Sequence, residues 1–94
     1  RKKLEIEVRN IHEAVVIARY PAVEGILFDN MRPAEIKRAV QIIHNKFSKR
    51  KITFEASGGI KLSNIKSYAH IGLARISVGA LTHSAPAVDF SLLV

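Results

Sequence analysis

The chain has no cysteine among its 94 residues. Disulfide bonds and thiolate metal sites are therefore excluded. Aromatic residues are few, four Phe and two Tyr, and they are scattered along the chain. Acidic residues are also in deficit: eight Asp and Glu stand against fifteen Lys and Arg, a net charge of +7. That balance favours anionic partners in general, whether nucleic acid, acidic lipid, or phosphorylated and carboxylated metabolites. The basic residues form no long block, the largest clusters being residues 1–3 and 49–51. Nucleic acid is not the expected partner, because its binding prefers basic patches interleaved with exposed aromatics. No apolar run approaches the roughly 20 residues of a membrane span, and no signal-peptide pattern opens the chain. Membrane association is therefore not expected, and a cytoplasmic location is the default expectation.

What is present suits one core, since 48% of the 94 residues are hydrophobic. One compact unit over residues 1–94 is expected. It opens on Arg1-Lys2-Lys3 and residues 4–8 already read as a strand, which predicts that the chain begins inside a larger protein. Asn10, followed three positions later by Glu13, is the capping-box pattern and predicts a helix over 11–20 that Pro21 ends. Gly25-Ile26-Leu27-Phe28 reads as a second strand. Pro33 suits a first helical position, and Ile36, Val40 and Ile43 then recur at helical spacing as far as about Phe47. A basic loop over 48–51 leads to a third strand at 52–55, a glycine turn, and a helix over 63–70 that Gly72 terminates. A fourth strand is predicted at 74–78, with a weaker helical or irregular tail from 85 to 94.

This alternation with short connections predicts an α/β fold of parallel β/α units joined by right-handed crossovers. Four such units make half of an eightfold α/β barrel or a small open sheet. Half a barrel leaves edge strands unpaired, so the rest of the barrel is expected upstream or on a partner chain. Side chains alternate faces along each strand. Leu4, Ile6 and Val8 oppose Glu5 and Glu7; Ile26 and Phe28 oppose Leu27 and Asp29. Ile52 and Phe54 oppose Thr53, Glu55 and Ser57, while Ile76 and Val78 oppose Arg75, Ser77 and Gly79. In a barrel the apolar parity packs outward on the helices and the polar parity points inward. Glu7, Asp29 and Glu55 then converge on the C-terminal mouth, where enzymes of this architecture place their active sites.

Two runs lie beside that mouth: Phe54-Glu55-Ala56-Ser57-Gly58-Gly59-Ile60 and Ile76-Ser77-Val78-Gly79-Ala80-Leu81-Thr82-His83. Each reads as a strand that breaks into a small-residue turn ahead of a new helical pattern. Such turns let a phosphate approach backbone N–H groups, and a helix N-terminus behind them adds partial positive charge. Ser57, Gly58 and Gly59, with Gly79, Ala80 and Leu81, therefore point to a phosphorylated ligand. Converging carboxylates repel one another unless a cation or a proton compensates. Mg²⁺ bound through one or two carboxylates and substrate phosphate oxygens would supply that compensation. The plainer alternative is that each acid caps the next helix or pairs with a neighbouring base. His83 could donate to an anion or serve as a surface residue or backbone anchor. His12, His44 and His70 fall on helical segments without metal-ligand spacing and read as structural. Ser57 has no His at a local spacing and no Gly-x-Ser-x-Gly elbow, so nucleophilic catalysis is not expected.

Five motifs stand in the order found in one enzyme family: Leu4-Glu5-Ile6-Glu7-Val8, Leu27-Phe28-Asp29-Asn30, Glu55-Ala56-Ser57-Gly58-Gly59-Ile60, Ser77-Val78-Gly79-Ala80-Leu81-Thr82-His83 and Ala87-Val88-Asp89-Phe90-Ser91-Leu92. Over nearly its whole length the chain resembles the C-terminal part of the quinolinate phosphoribosyltransferases, the carboxylating nicotinate-nucleotide pyrophosphorylases. The resemblance implies transfer of a phosphoribosyl group from phosphoribosyl pyrophosphate to the ring nitrogen of quinolinate, then loss of one carboxylate as CO₂. It implies that Glu7 and Asp29 hold the ribose and pyrophosphate end with Mg²⁺. Ser57, Gly58 and Gly59 would hold the 5′-phosphate with Gly79, Ala80 and Leu81, and His83 would lie beside them. It also implies a homodimer, whose basic clamp for the two quinolinate carboxylates lies upstream of this segment and on the partner subunit. Residues 1–94 are accordingly expected to form the C-terminal part of a phosphoribosyltransferase barrel domain, and to be inactive alone. Two other readings stay open: a related pyrophosphorylase-like barrel with another acceptor, and a noncatalytic basic α/β module that binds nucleic acid or a partner protein.

Overall fold

The computed structural model describes residues 3–82 and 85–93, and for 80–82 and 85–93 the backbone alone. Four strands run parallel: β1 (Glu5–Val8), β2 (Gly25–Asp29), β3 (Thr53–Ser57) and β4 (Arg75–Thr82). Helix α1 (Ile11–Ala18) joins β1 to β2, and α2 (Pro33–Lys46) joins β2 to β3. Consecutive strands are neighbours throughout, in the order β1-β2-β3-β4, with a fifth strand, β5 (Ala85–Leu93), beside β4. An α/β chain without a reversal in strand order is consistent with part of a barrel wall.

The helices begin where their caps dictate. The Asn10 side chain accepts from the Glu13 N–H at 2.8 Å, and Glu13 accepts in return from the Arg9 N–H at 2.8 Å. At the start of α2, Pro33 occupies the first turn and Glu35 accepts from the Arg32 N–H at 3.0 Å. α1 stops at Ala18, two residues short of the expected end, and the chain turns through Pro21. The half-buried Arg50 closes that turn, its guanidinium donating to the carbonyls of Ala18, Pro21 and Val23. The basic loop after α2 thus satisfies carbonyls left open at the end of α1.

Side-chain parity is as the alternation requires. Ile26, Phe28, Phe54, Ala56, Ile76 and Val78 are buried on one sheet face, covered by Ala14 and Ala18 of α1 and by Ile36, Ala39, Val40 and Ile43 of α2. Phe28 and Phe54 stack there with ring centroids 5.9 Å apart, and His44 meets Phe54 edge-on at 5.7 Å. His44 thus packs structurally. The opposite face carries the polar parity, with Glu7, Leu27, Glu55 and Arg75 in one row across β1 to β4.

Two elements differ from expectation. The predicted helix over 63–70 is a four-residue 3₁₀ helix, Ile65–Tyr68. The segment is too short to repay helix nucleation, and His70 at φ 65° and Gly72 at φ 101° end it abruptly. The tail predicted as helical or irregular is instead a strand, β5 (Ala85–Leu93), antiparallel to β4. Val88, Phe90 and Leu92 alternate with Asp89 and Ser91, and the register sets them opposite Ala80, Val78 and Ile76. That period of two is a strand signal.

On the polar face Glu5 reaches over β2 to Glu55. It does so because Gly25 lies between them: a Cβ on Gly25 would sit 3.2 Å from Glu5 Oε2. The hydrogen bond to Glu55, partial burial and the Glu55 charge raise the Glu5 carboxyl above its ordinary value of 4.5, with Arg75 and Lys3 opposing.

Two outcomes are expected. Phe28→Ala removes a fully buried ring and its stacking on Phe54, and should cost about 3–5 kcal/mol of stability, measured by chemical denaturation. Because the folded-state pKa of Glu5 is raised, its stabilising contribution is complete below 4.5 and is lost as pH climbs through the raised value. Melting temperatures of the native chain and Glu55→Gln should therefore diverge across that window, with the native chain losing ground as pH rises. A difference that does not vary with pH would rule out the upward shift of Glu5.

Candidate functional site

β3 ends at Ser57, and the chain leaves the sheet through Gly58 at φ +83° and Gly59 at φ +71°, a conformation glycine adopts without strain. At Gly58 there is also no room for a side chain. A Cβ would lie 2.9 Å from the Asn30 backbone nitrogen and 3.0 Å from Asp29 Oδ1. The end of β2 is locked into the same turn, since the Asn30 N–H donates to the Ser57 carbonyl at 2.8 Å and Asn30 is itself left-handed at φ 56°. Ser57, Gly58, Gly59, Ile60 and Lys61, with Ser77 and Gly79 of β4, line an open cleft of about 390 Å³.

The loop behind the cleft is held by one side chain. Asn64 accepts from the Lys61 N–H at 2.8 Å and donates to the Gly59 carbonyl at 3.2 Å. The Gly79 N–H donates to the Ile60 carbonyl at 3.2 Å, tying the turn to β4. Among the described residues, no acceptor meets the N–H groups of Gly58 and Gly59. Backbone donors beside a cleft, approachable without a Cβ in the way, are what an anion requires.

Asp29 stands at the rim, 27% exposed, with its Oδ2 3.7 Å from Arg9 Nε. That ion pair is the plainer expectation for an acid at a strand end, and it coexists with contact to the glycine turn. Glu7 is exposed on the same face, in the row of Leu27 and Glu55. Glu55 is the neighbour that raises the Glu5 carboxyl. Among the described residues, no three acidic or histidine side chains group closely enough to hold a metal ion by themselves. Glu7 and Asp29 share one face of the sheet, and their carboxylates are the hard oxygen donors that Mg²⁺ prefers, while the cleft itself is lined by other residues.

The structure thus brings Asp29, Ser57, Gly58, Gly59 and Gly79 together and leaves Glu7 one row away. The second glycine run is corrected: Gly79, Ala80 and Leu81 lie within β4 and not in a turn, because β5 pairs with Gly79, Ala80 and Thr82, with a register shift at Leu81. Neither run is followed by an α-helix in the described residues, so the expected helix N-terminus behind the cradle is absent there. His83 lies outside the described residues. Arg9, Lys61 and Asn64 join the site without having been singled out from sequence. An Asn five residues after Gly59 was the available signal for the last, since Asn side chains bond nearby backbone.

Comparison with known proteins places this geometry. Residues 1–93 match the family described as "Quinolinate phosphoribosyl transferase, C-terminal domain". A protein of Archaeoglobus fulgidus named as a probable nicotinate-nucleotide pyrophosphorylase [carboxylating] is 38% identical over 93 residues, which are 99% of this chain and 36% of that protein. One of the same name from Methanocaldococcus jannaschii is 44% identical over 94 residues, covering 97% of this chain and 32% of its own length. The human nicotinate-nucleotide pyrophosphorylase [carboxylating] is 38% identical over 90 residues, 96% of this chain and 29% of its own length. The chain therefore spans about a third of the length of these relatives. With its two strand-end turns interlocked at Gly58 and a family match over residues 1–93, the chain belongs to the quinolinate phosphoribosyl transferase family, in that family's C-terminal domain.

Proposed function

We propose that this chain forms the phosphoribosyl-binding side of a carboxylating nicotinate-nucleotide pyrophosphorylase. The whole enzyme would take phosphoribosyl pyrophosphate and quinolinate and release nicotinate mononucleotide, CO₂ and pyrophosphate. The observation that carries this reading is the contact between the glycine turn and the acid at the neighbouring strand end, Gly58 against Asp29 and Asn30. A 5-phosphoribosyl group needs an anion site and a hydroxyl acceptor a few ångströms apart, and these two strand ends offer that pair.

In the reaction the quinolinate ring nitrogen supplies the electron pair of a new bond to the anomeric carbon, and pyrophosphate departs with the pair of the bond it leaves. The adjacent carboxylate then leaves as CO₂, and a proton replaces it on the ring. Such chemistry needs positioning and charge stabilisation more than a nucleophile. Ser57, Gly58 and Gly59 would fix the 5′-phosphate, with Gly79 as the opposite wall. Asp29 and Glu7 would accept from the ribose hydroxyls and offset the positive charge that grows at the anomeric carbon. Mg²⁺, held by Glu7 and Asp29, would neutralise the departing pyrophosphate when bound. The family resemblance also supports a homodimeric enzyme with the quinolinate clamp outside this chain.

In the full-length protein, Glu7→Ala and Asp29→Ala should each lower kcat/KM by roughly 10²-fold or more while leaving the melting curve close to native. Near-native kinetics for both would refute their role. Gly58→Ala should raise the KM for phosphoribosyl pyrophosphate by at least about tenfold, because the methyl group strains a left-handed residue and presses on Asn30 and Asp29. An unchanged KM for that variant would remove the phosphate cradle from the reading.

A further inference from the structure

The cleft poses an electrostatic problem that its backbone alone does not solve. A sugar phosphate carries close to two negative charges, and the α-helix N-terminus expected behind the glycine turn is not there: only the four-residue 3₁₀ helix follows. The nearest acid, Asp29, makes the rim more negative. Among the described residues that line the cleft, Ser57, Gly58, Gly59, Ile60, Ser77 and Gly79 are uncharged, and Lys61 alone bears a formal charge.

We propose that Lys61 is a ligand-contacting cation of this cleft, which neutralises the 5′-phosphate and is set in place by Asn64. The inference rests on the phosphoribosyl reading above and deepens it. Three observations converge on Lys61. It lines the cleft two residues after Gly59. Its backbone is pinned, because its N–H donates to Asn64 Oδ1 at 2.8 Å while Asn64 Nδ2 holds the Gly59 carbonyl at 3.2 Å. Its side chain is exposed, and among the described residues no hydrogen bond or ion pair engages the ammonium. A flexible ammonium beside fixed backbone N–H donors is a common way to bind phosphate as a point charge.

The test uses the full-length enzyme with Lys61→Gln and Lys61→Arg, and with Gly58→Ala as a separate probe of the cleft. Lys61→Gln should raise the KM for phosphoribosyl pyrophosphate roughly tenfold with kcat nearly unchanged, as expected for loss of a charge-assisted contact that the ground state already makes. Lys61→Arg should restore most of that loss. The KM of the native enzyme should climb with ionic strength more steeply than that of Lys61→Gln. Inhibition by ribose 5-phosphate should weaken in Lys61→Gln while inhibition by inorganic pyrophosphate holds, which locates the contact at the 5′-phosphate. A KM within twofold of native, or a loss confined to pyrophosphate, overturns the role of Lys61. If Gly58→Ala weakens ribose 5-phosphate and Lys61→Gln does not, the cleft stands and Lys61 is not part of it. If neither weakens it, the phosphoribosyl reading fails and this inference fails with it.

Discussion

Everything in this fold depends on the strict alternation of side chains along four parallel strands held in one register. Val8, Phe28, Ala56 and Ile76 form a single row across the sheet, and all four are buried. A slip of one residue in any strand would carry its apolar set to the open face and bring Glu7, Leu27 or Glu55 under the helices. Stacking of Phe28 on Phe54 at 5.9 Å anchors the pairing of β2 with β3. The polar row opposite is a by-product of this constraint, and it sets Glu7 and Asp29 on the same face as Ser57.

Register is also fastened at both ends of the β2–β3 pair. At the end nearer the chain reversals, Arg50 draws the carbonyls of Ala18, Pro21 and Val23 toward the loop that enters β3. At the functional end the Asn30 N–H binds the Ser57 carbonyl, and Gly58 fits where no Cβ can. The first clasp uses a side chain because it must reach three carbonyls on another segment. The second uses backbone because no side chain fits between Gly58 and the Asn30 backbone. Site and scaffold thus share one interlock, and the residue that makes the cleft accessible also holds two strands in step.

Much of this was legible along the chain. Asn10 with Glu13, Pro33 and the spacing of Ile36, Val40 and Ile43 marked both α-helices within two residues of their observed ends. Gly58 and Gly59 announced a turn that is there, with the positive φ angles glycine allows. The 63–70 segment misled because its spacing fits a helix, while Asn64 spends its side chain on Lys61 and Gly59 in place of capping one. The tail misled for the opposite reason: its alternation is short, and β5 gains definition only from β4 alongside it.

The sequence alone determined what depends on neighbours a few residues away: helix caps, strand parity, the glycine turn, and through its motifs the family. Tertiary structure decided which distant groups meet. Arg50 looks like one more charge in a basic loop until Ala18, at the end of α1, and Val23, after it, lie 32 and 27 residues away in sequence and within its reach. Asp29 looks like a strand-end acid until folding puts Gly58 against it and Arg9 beside it. Lys61 looks like surface charge until the missing helix leaves it as the one cation among the described lining residues of the cleft. Periodicity is a local property that a chain carries with it, whereas a hydrogen-bond partner or a compensating charge exists only once the sheet has brought separate segments within a few ångströms.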